Sequence, residues 1–325
     1  MTSAVLQGVT ALSHLGVIRA EGPDAASFLH GQLTQDFALL DGSEARLAAL
    51  CTAKGRMIAS FVGIRPQPEL ILLVCSRDIL AATLKRLSMY VLRAKVKLSD
   101  ATDAMPLYGL AGSALAANRI DASAAPGRRF AFAVPAVDAA VDAATSATSA
   151  TVSAVTLYPA DGVPRALWIS PDTTTPKPVG AELELGLWQW AEVRSGIATL
   201  TTPVLDAFVP QMLNYESVGG VNFKKGCYPG QEIVARSQFR GTLKRRAYIV
   251  SADAPITVGQ EVFAADDAEQ PVGTVVQAAA SPDGRWSGLV SMQIAALDAG
   301  GLHAGAADGP ALQVDPLPYP LLLDI

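Results

Sequence analysis

The run 69–75 (ELILLVC) constrains this chain most, because five of its seven residues are aliphatic and they occupy both alternating faces of a strand. A strand of that kind needs a hydrogen-bonded neighbour on each edge and apolar cover above and below, so it belongs in the interior of a sheet covered on both sides. Its surroundings supply the neighbours. Ala45–Cys51 and residues 56–65 read as two strands joined by a turn at Ala53-Lys54-Gly55. Residues 93–99 (RAKVKLS) alternate polar and apolar as a half-buried strand does. Residues 24–33 have helical spacing, with Asp24 as N-cap and Phe28, Leu29 and Leu33 as the apolar stripe, and residues 79–91 form a second helix. The expected fold class is α+β.

Beyond residue 100 the composition shifts to Ala, Ser and Thr. Strand signals at 107–110 and 166–169 flank an alanine-rich stretch, and 137–154 reads as a helix with a low-complexity end. Residues 183–196 form a firmer helix with Leu187, Trp190 and Val193 on one face. Trp188 and Trp190 stand two positions apart and cannot share a face, so one enters the core and the other points elsewhere, into a cleft. After Arg246, short strands broken by Gly, Pro and Asp (247–250, Glu261–Ala264, 272–278, 287–290) indicate a small barrel or sandwich. Three domains result. Residues 1–100 form an N-terminal α+β domain rejoined by about 176–240, residues 101–175 a second α+β domain, and residues 241–325 the barrel.

With 325 residues, half of them hydrophobic and 17% charged, the chain has ample material for such cores and is not a disordered polymer. A formal charge of −5 argues against a general nucleic-acid binder. Three scattered cysteines and three scattered histidines offer no metal-ligand spacing. Sparse, unpaired cysteine, a start without signal-peptide character and no long apolar run point to a cytoplasmic protein away from membranes.

Chemistry concentrates in residues 208–246. Five glycines fall there, and from Lys224 to Arg246 seven cations face one acid, Glu232, making a local positive field in an acidic chain. Pro229 predicts a short helix over 231–236. A thiol at that helix's N-terminus beside Lys224 and Lys225 has a lowered pKa and acts as nucleophile or metal ligand; the alternative is that Cys227 is a small buried hydrophobe. Cys51 and Cys75 lie in strand-like apolar surroundings and read as core. No histidine lies in a motif that pairs it with Cys227, which argues against ordinary hydrolysis. An aromatic wall with basic groups nearby suits a flat, anionic heterocycle.

The octapeptide Lys225-Gly-Cys-Tyr-Pro-Gly-Gln-Glu232 matches the K-G-C-[FY]-x-G-Q-E signature of the YgfZ family, which is similar in fold to the glycine-cleavage aminomethyltransferase. Pro210-Gln211, Ala235-Arg236, Arg240-Gly241, Lys244-Arg245, the segment from Gly31-Gln32 to Asp36, and Ala53-Lys54-Gly55-Arg56-Met57 extend the resemblance in the same order. The resemblance implies a three-domain ring of the aminomethyltransferase type, tetrahydrofolate as bound cofactor, and a role in assembling or repairing iron–sulfur proteins, with tRNA-modifying enzymes as clients. It places Cys227 as the essential cysteine, with Lys225 beside it, and Trp188 at the folate site. Tyr228, Gln231, Glu232, Arg236 and Arg194 complete the candidate folate contacts. Leu15 falls where an aromatic partner of Trp188 is expected. Ala82 falls where aminomethyltransferases carry the aspartate that orients the folate nitrogen, with Asp78 the nearest carboxylate. Three readings remain open: a folate-dependent iron–sulfur maintenance factor, a one-carbon transferase, and a scaffold docking a client protein or RNA.

Overall fold

The computed structural model describes residues 6–133, 151–240, 243–298 and 301–322. The first sheet has the order β3-β4-β5-β2-β6 and is built from β2 (Leu15–Glu21), β3 (Ala45–Cys51), β4 (Met57–Gln67), β5 (Leu70–Ser76) and β6 (Lys97–Asp100), all antiparallel. The strand β5 is interior, as its composition demands. Ile71, Leu73 and Cys75 join the core under the helices α1 (Ala25–Gln32) and α2 (Arg77–Ser88), while Leu72 and Val74 point to the opposite core. Burying such an aliphatic side chain contributes about 1.5–3 kcal/mol, so this strand anchors two cores at once.

The second sheet, β1-β7-β10-β9-β8, contains β1 (Gly8–Ala11), β7 (Leu107–Ala111), β8 (Arg129–Ala133), β9 (Thr151–Ala160) and β10 (Val163–Ile169), and a one-turn helix, α3 (Ala114–Ala117), follows β7. The chain therefore enters the second sheet before the first, since β1 pairs with β7. Leu107, Val155, Leu167 and Ile169 of this sheet share a core with Val17, Ile64, Leu72 and Val74 of the first. The helix α4 (Leu185–Arg194) packs against β9 and β1 on one side and the barrel on the other. That barrel is closed, in the order β11-β14-β13-β12-β15-β16. Its strands are β11 (Arg245–Ala252), β12 (Glu261–Ala264), β13 (Asp267–Ala280), β14 (Trp286–Gln293), β15 (Leu302–Ala304) and β16 (Ala311–Asp315). None of the described helices is long and apolar enough to cross a membrane.

Several local expectations need correction. Asp24 precedes α1 without a side-chain cap; its carboxylate instead accepts the backbone N–H of Lys95 at 2.7 Å, tying the approach to β6. That approach, 93–96, is irregular, and only Lys97–Asp100 pairs as a strand. Of the helix expected over 137–154, residues 137–150 lie outside the described residues. Residues 151–154 begin β9, where pairing with β8 and β10 overrides alanine's helix propensity. Both tryptophans of α4 are buried because that helix is covered on two faces. Trp190 donates to Ser287 Oγ in the barrel at 3.1 Å, while Trp188 turns toward the two sheets.

Candidate functional site

Between the two sheets, beside α4, lies a cavity of about 420 Å³. Leu15 and Val74 line it from the first sheet, Leu157 and Leu167 from the second, with Leu12 just beyond β1. Its polar lining includes Gln35, the Glu44–Arg46 pair, Tyr158, Arg165, Glu192 and Asn222, residues scattered along much of the chain.

Trp188 organises one end. Its indole rests against Gly109 of β7, where a Cβ would come within 2.6 Å of the ring, so only glycine leaves room. Four residues on, one helical turn away, Glu192 accepts a hydrogen bond from Trp188 Nε1 at 2.9 Å. His14 Nε2 lies 3.1 and 3.2 Å from the same carboxylate's oxygens. The Arg165 guanidinium stands 4.9 Å over the Trp188 ring, a cation–π contact. Trp188 is itself fully buried, so its contribution to the wall is to support Arg165. Burial brings the Arg165 guanidinium down to about 10, and the Glu192 carboxylate opposes that shift.

The octapeptide forms a separate, exposed feature. Cys227 is exposed, which removes the buried-hydrophobe reading, while Cys51 and Cys75 are buried and burial pushes both thiols up to about 12. The helix after the motif, α5 (Gln231–Phe239), begins four residues beyond Cys227, with Gly230 as its left-handed N-cap. Pro229 therefore precedes the helix, and Cys227 does not sit in its first turn. Gly230 has φ +81°, and a Cβ there would lie 2.3 Å from Thr52 O and 2.7 Å from Gly55 Cα. The turn of Ala53-Lys54-Gly55 and the turn of the octapeptide thus touch backbone to backbone, glycine against glycine. Gln211 is buried and donates to Val234 O at 2.8 Å, holding α5 from below.

Lys225 is a buried cap rather than a free cation. Its ammonium donates to the carbonyls of His30 and Leu33 (2.7 Å for the latter), in the last turn and at the C-cap of α1, and lies 4.6 Å over the Tyr228 ring. Burial lowers it from 10.5 to about 8, against the pull of Asp36 and Cys227. His30, which no sequence pattern paired, donates through Nδ1 to Asp36 Oδ1, 3.0 Å away. Its Nε2 would be 3.3 Å from a Cβ on Gly226, the residue before the thiol. Burial acts to raise the Asp36 carboxyl, but the Leu39 N–H and the His30 ring hold it below the usual carboxylate range.

Of the expected folate contacts, Trp188 and the neighbouring position Leu15 reach the cavity wall. Tyr228 lies under Lys225, Gln231 opens α5, Glu232 and Arg236 are exposed on it, and none of these four lines the cavity. Arg194 is spent elsewhere: it pairs with Asp161 at 2.9 Å and Asp315 at 2.5 Å, clamping the β9–β10 turn to the barrel. Arg246 of the basic run is buried in an ion pair with Glu216. The positive field is correspondingly reduced to its exposed members Lys224, Arg236, Arg240 and Lys244. On α2, Ala82 is exposed and Asp78 is bound to Ser76 and Thr202, so neither supplies a carboxylate to the cavity. The carboxylates that do line it are Glu44 and Glu192, which were not expected. The one local signal for Glu192 is its four-residue spacing from Trp188.

The cavity and the thiol share two stretches of chain. Gln35 lines the cavity, accepts the Asp36 N–H at 2.8 Å and donates to Gly219 O at 2.5 Å, while Asp36 holds His30 beside the thiol loop. Asn222 also lines the cavity and accepts the Lys224 N–H at 2.8 Å.

No protein-family model matches the chain. It is 30% identical over 308 residues to the tRNA-modifying protein YgfZ of Klebsiella pneumoniae, covering 92% of this chain and 89% of that one. The YgfZ protein of Edwardsiella ictaluri is 31% identical over 244 residues, 73% of this chain and 69% of the relative. That of Sodalis glossinidius is 29% identical over 318 residues, 95% and 92% of the two chains. The glycine cleavage system aminomethyltransferase T of Bartonella henselae superposes with a TM-score of 0.67 at 16% identity, over 98% of this chain and 88% of that one. The fold is therefore that of the aminomethyltransferases, and by sequence the chain belongs to the YgfZ family.

Proposed function

We propose that the cavity binds tetrahydrofolate and that Cys227 works beside it in the assembly or repair of iron–sulfur proteins, cluster-dependent tRNA-modifying enzymes among them. The observation that carries the proposal is the shared wall: Gln35–Asp36 and 219–225 each run from the cavity to the Cys227 loop, which supports reading a cavity ligand and the thiol together. The cavity's lining suits a flat heterocycle with hydrogen-bonding edges. Apolar side chains flank it, and one end offers Arg165 and Glu192, while Arg46 on its wall is already paired with Glu44. The relatives' description as tRNA-modifying proteins supports the same direction for this chain. Folate occupancy sets the state of the site, and the exposed thiol, acting as a transient ligand or a redox group, meets the client.

Anaerobic calorimetric titration of the protein with tetrahydrofolate tests the proposal. One-to-one binding at micromolar or lower concentration is expected. Absence of heat at several temperatures would remove the folate reading. Restoration of iron–sulfur enzyme activity in deficient cells by Cys227→Ala would remove the thiol's part.

A further inference from the structure

Arg165 is almost wholly buried, yet its guanidinium is incompletely bonded. Nε and Nη2 both donate to Tyr158 O, at 3.3 and 3.1 Å, and Nη1 is buried without a hydrogen-bond partner. A buried donor left unpaired is costly, and an arginine fork is a demanding one. Glu192 is close enough to act on its charge, but among the described residues the two make no ion pair within 4 Å. The carboxylate takes donors from Trp188 and His14, and with about four acceptor sites it has capacity for more. An unfilled donor and an underused acceptor thus stand around the same indole, at one end of the cavity.

We propose that Arg165 and Glu192 read the lactam edge of the bound heterocycle, Arg165 Nη1 donating to the ring carbonyl and Glu192 accepting the adjacent ring or amino N–H. This inference rests on the folate reading and orients the ligand within it: the pyrimidinone end of the pterin lies at Trp188 and the glutamyl tail at the opposite end of the cavity. The pair selects against heterocycles that carry an amino group in place of that carbonyl, because a donor would then face the guanidinium.

Tetrahydrofolate and its 4-amino counterpart, made by reducing aminopterin, separate the possibilities when titrated into wild type and Arg165→Met. Wild type should favour tetrahydrofolate by about tenfold or more, as expected for a hydrogen bond to a charged group, and Arg165→Met by less than about threefold. Both affinities are read within each variant, so a change in stability does not imitate the result. If Arg165→Met does not fold, Arg165→Lys, which cannot hold Tyr158 O and the ligand with one rigid fork, should narrow the preference instead. Equal affinities in wild type, or a preference kept in the folded variant, overturn the inference and leave the folate reading standing. No binding of either ligand overturns both.

Discussion

The cavity and the Cys227 loop are built by opposite means. The cavity draws its polar groups from residues such as Gln35, Glu44, Tyr158, Arg165, Glu192 and Asn222, which only the finished fold brings together. The loop is local: eight consecutive residues supply the thiol, the capping lysine and the glycine that lets two turns meet. A buried recognition site needs cover from many elements to exclude water, whereas an exposed thiol needs a rigid turn and access to a partner. The two regions should therefore fail separately, and substitutions that damage one while sparing the other test whether they are as distinct as their construction implies.

The largest effect is expected at Gly230. An added methyl would combine a positive φ with a 2.3 Å approach to Thr52 O, backbone that cannot move aside. Gly230→Ala should cost roughly 2–4 kcal/mol in urea unfolding and disturb the Cys227 loop. Tetrahydrofolate affinity of the remaining folded protein should change less than about threefold. Next comes Gly109→Ala, which drives a Cβ into the Trp188 ring and through it displaces Arg165. It should weaken folate binding by about tenfold to a hundredfold while leaving the alkylation rate of Cys227 unchanged. Equal damage to both readouts in either variant would mean that the two regions are one mechanical unit.

The same contrast decides what the sequence discloses. The strand β5 was legible because its aliphatic run admits no exposed face, and the octapeptide because its residues are contiguous. The barrel's strand rhythm was legible in part: β12 falls where expected, but β15 has three residues and leaves too short a pattern to read. Arg165 lies just outside the strand expected over 166–169, and nothing local says that Trp188 will arrive over it from 23 positions away. His14 and Glu192 are separated by 178 residues, and no periodicity reports such a meeting. Basic residues misled for the complementary reason. Arg194, Lys225 and Arg246 read as a field for an anion, but carboxylates and helix-end carbonyls brought in by the fold satisfy them first.

Lys225 offers a smaller and pH-dependent effect. Its folded pKa of about 8 lies below the ordinary 10.5 because burial penalises the ammonium. Between those values the unfolded chain binds a proton that the folded chain releases, so this group makes stability rise with pH across the window from about 8 to 10.5. Below 8 both states are protonated and the burial penalty is present in full. Relative to Lys225→Met, wild type should gain about 1–2 kcal/mol between pH 7.5 and 10, after allowance for screening by nearby solvent. Unfolding by urea at the two pH values measures it. Parallel profiles would place the ammonium in contact with water and remove its assignment as a buried cap.

The smallest effect bears on whether the shared wall transmits anything. Cys51 and Cys75 are buried, with thiols pushed up to about 12, so iodoacetamide at neutral pH reports on Cys227 alone. Tetrahydrofolate bound as proposed would lie against Gln35, whose neighbour Asp36 orients His30 beside the loop. Occupancy should therefore change the alkylation rate by about threefold, below the usual range of coupling between sites. Asp36 does not line the cavity, and Asp36→Asn keeps its size while removing the charge that orients His30. That variant should bind tetrahydrofolate normally and lose the ligand's effect on the thiol. If it keeps the effect, transmission runs through 219–225 and Asn222 instead. If wild type shows none, the cavity and the thiol only share a wall, and client recognition, not folate occupancy, must govern when Cys227 reacts.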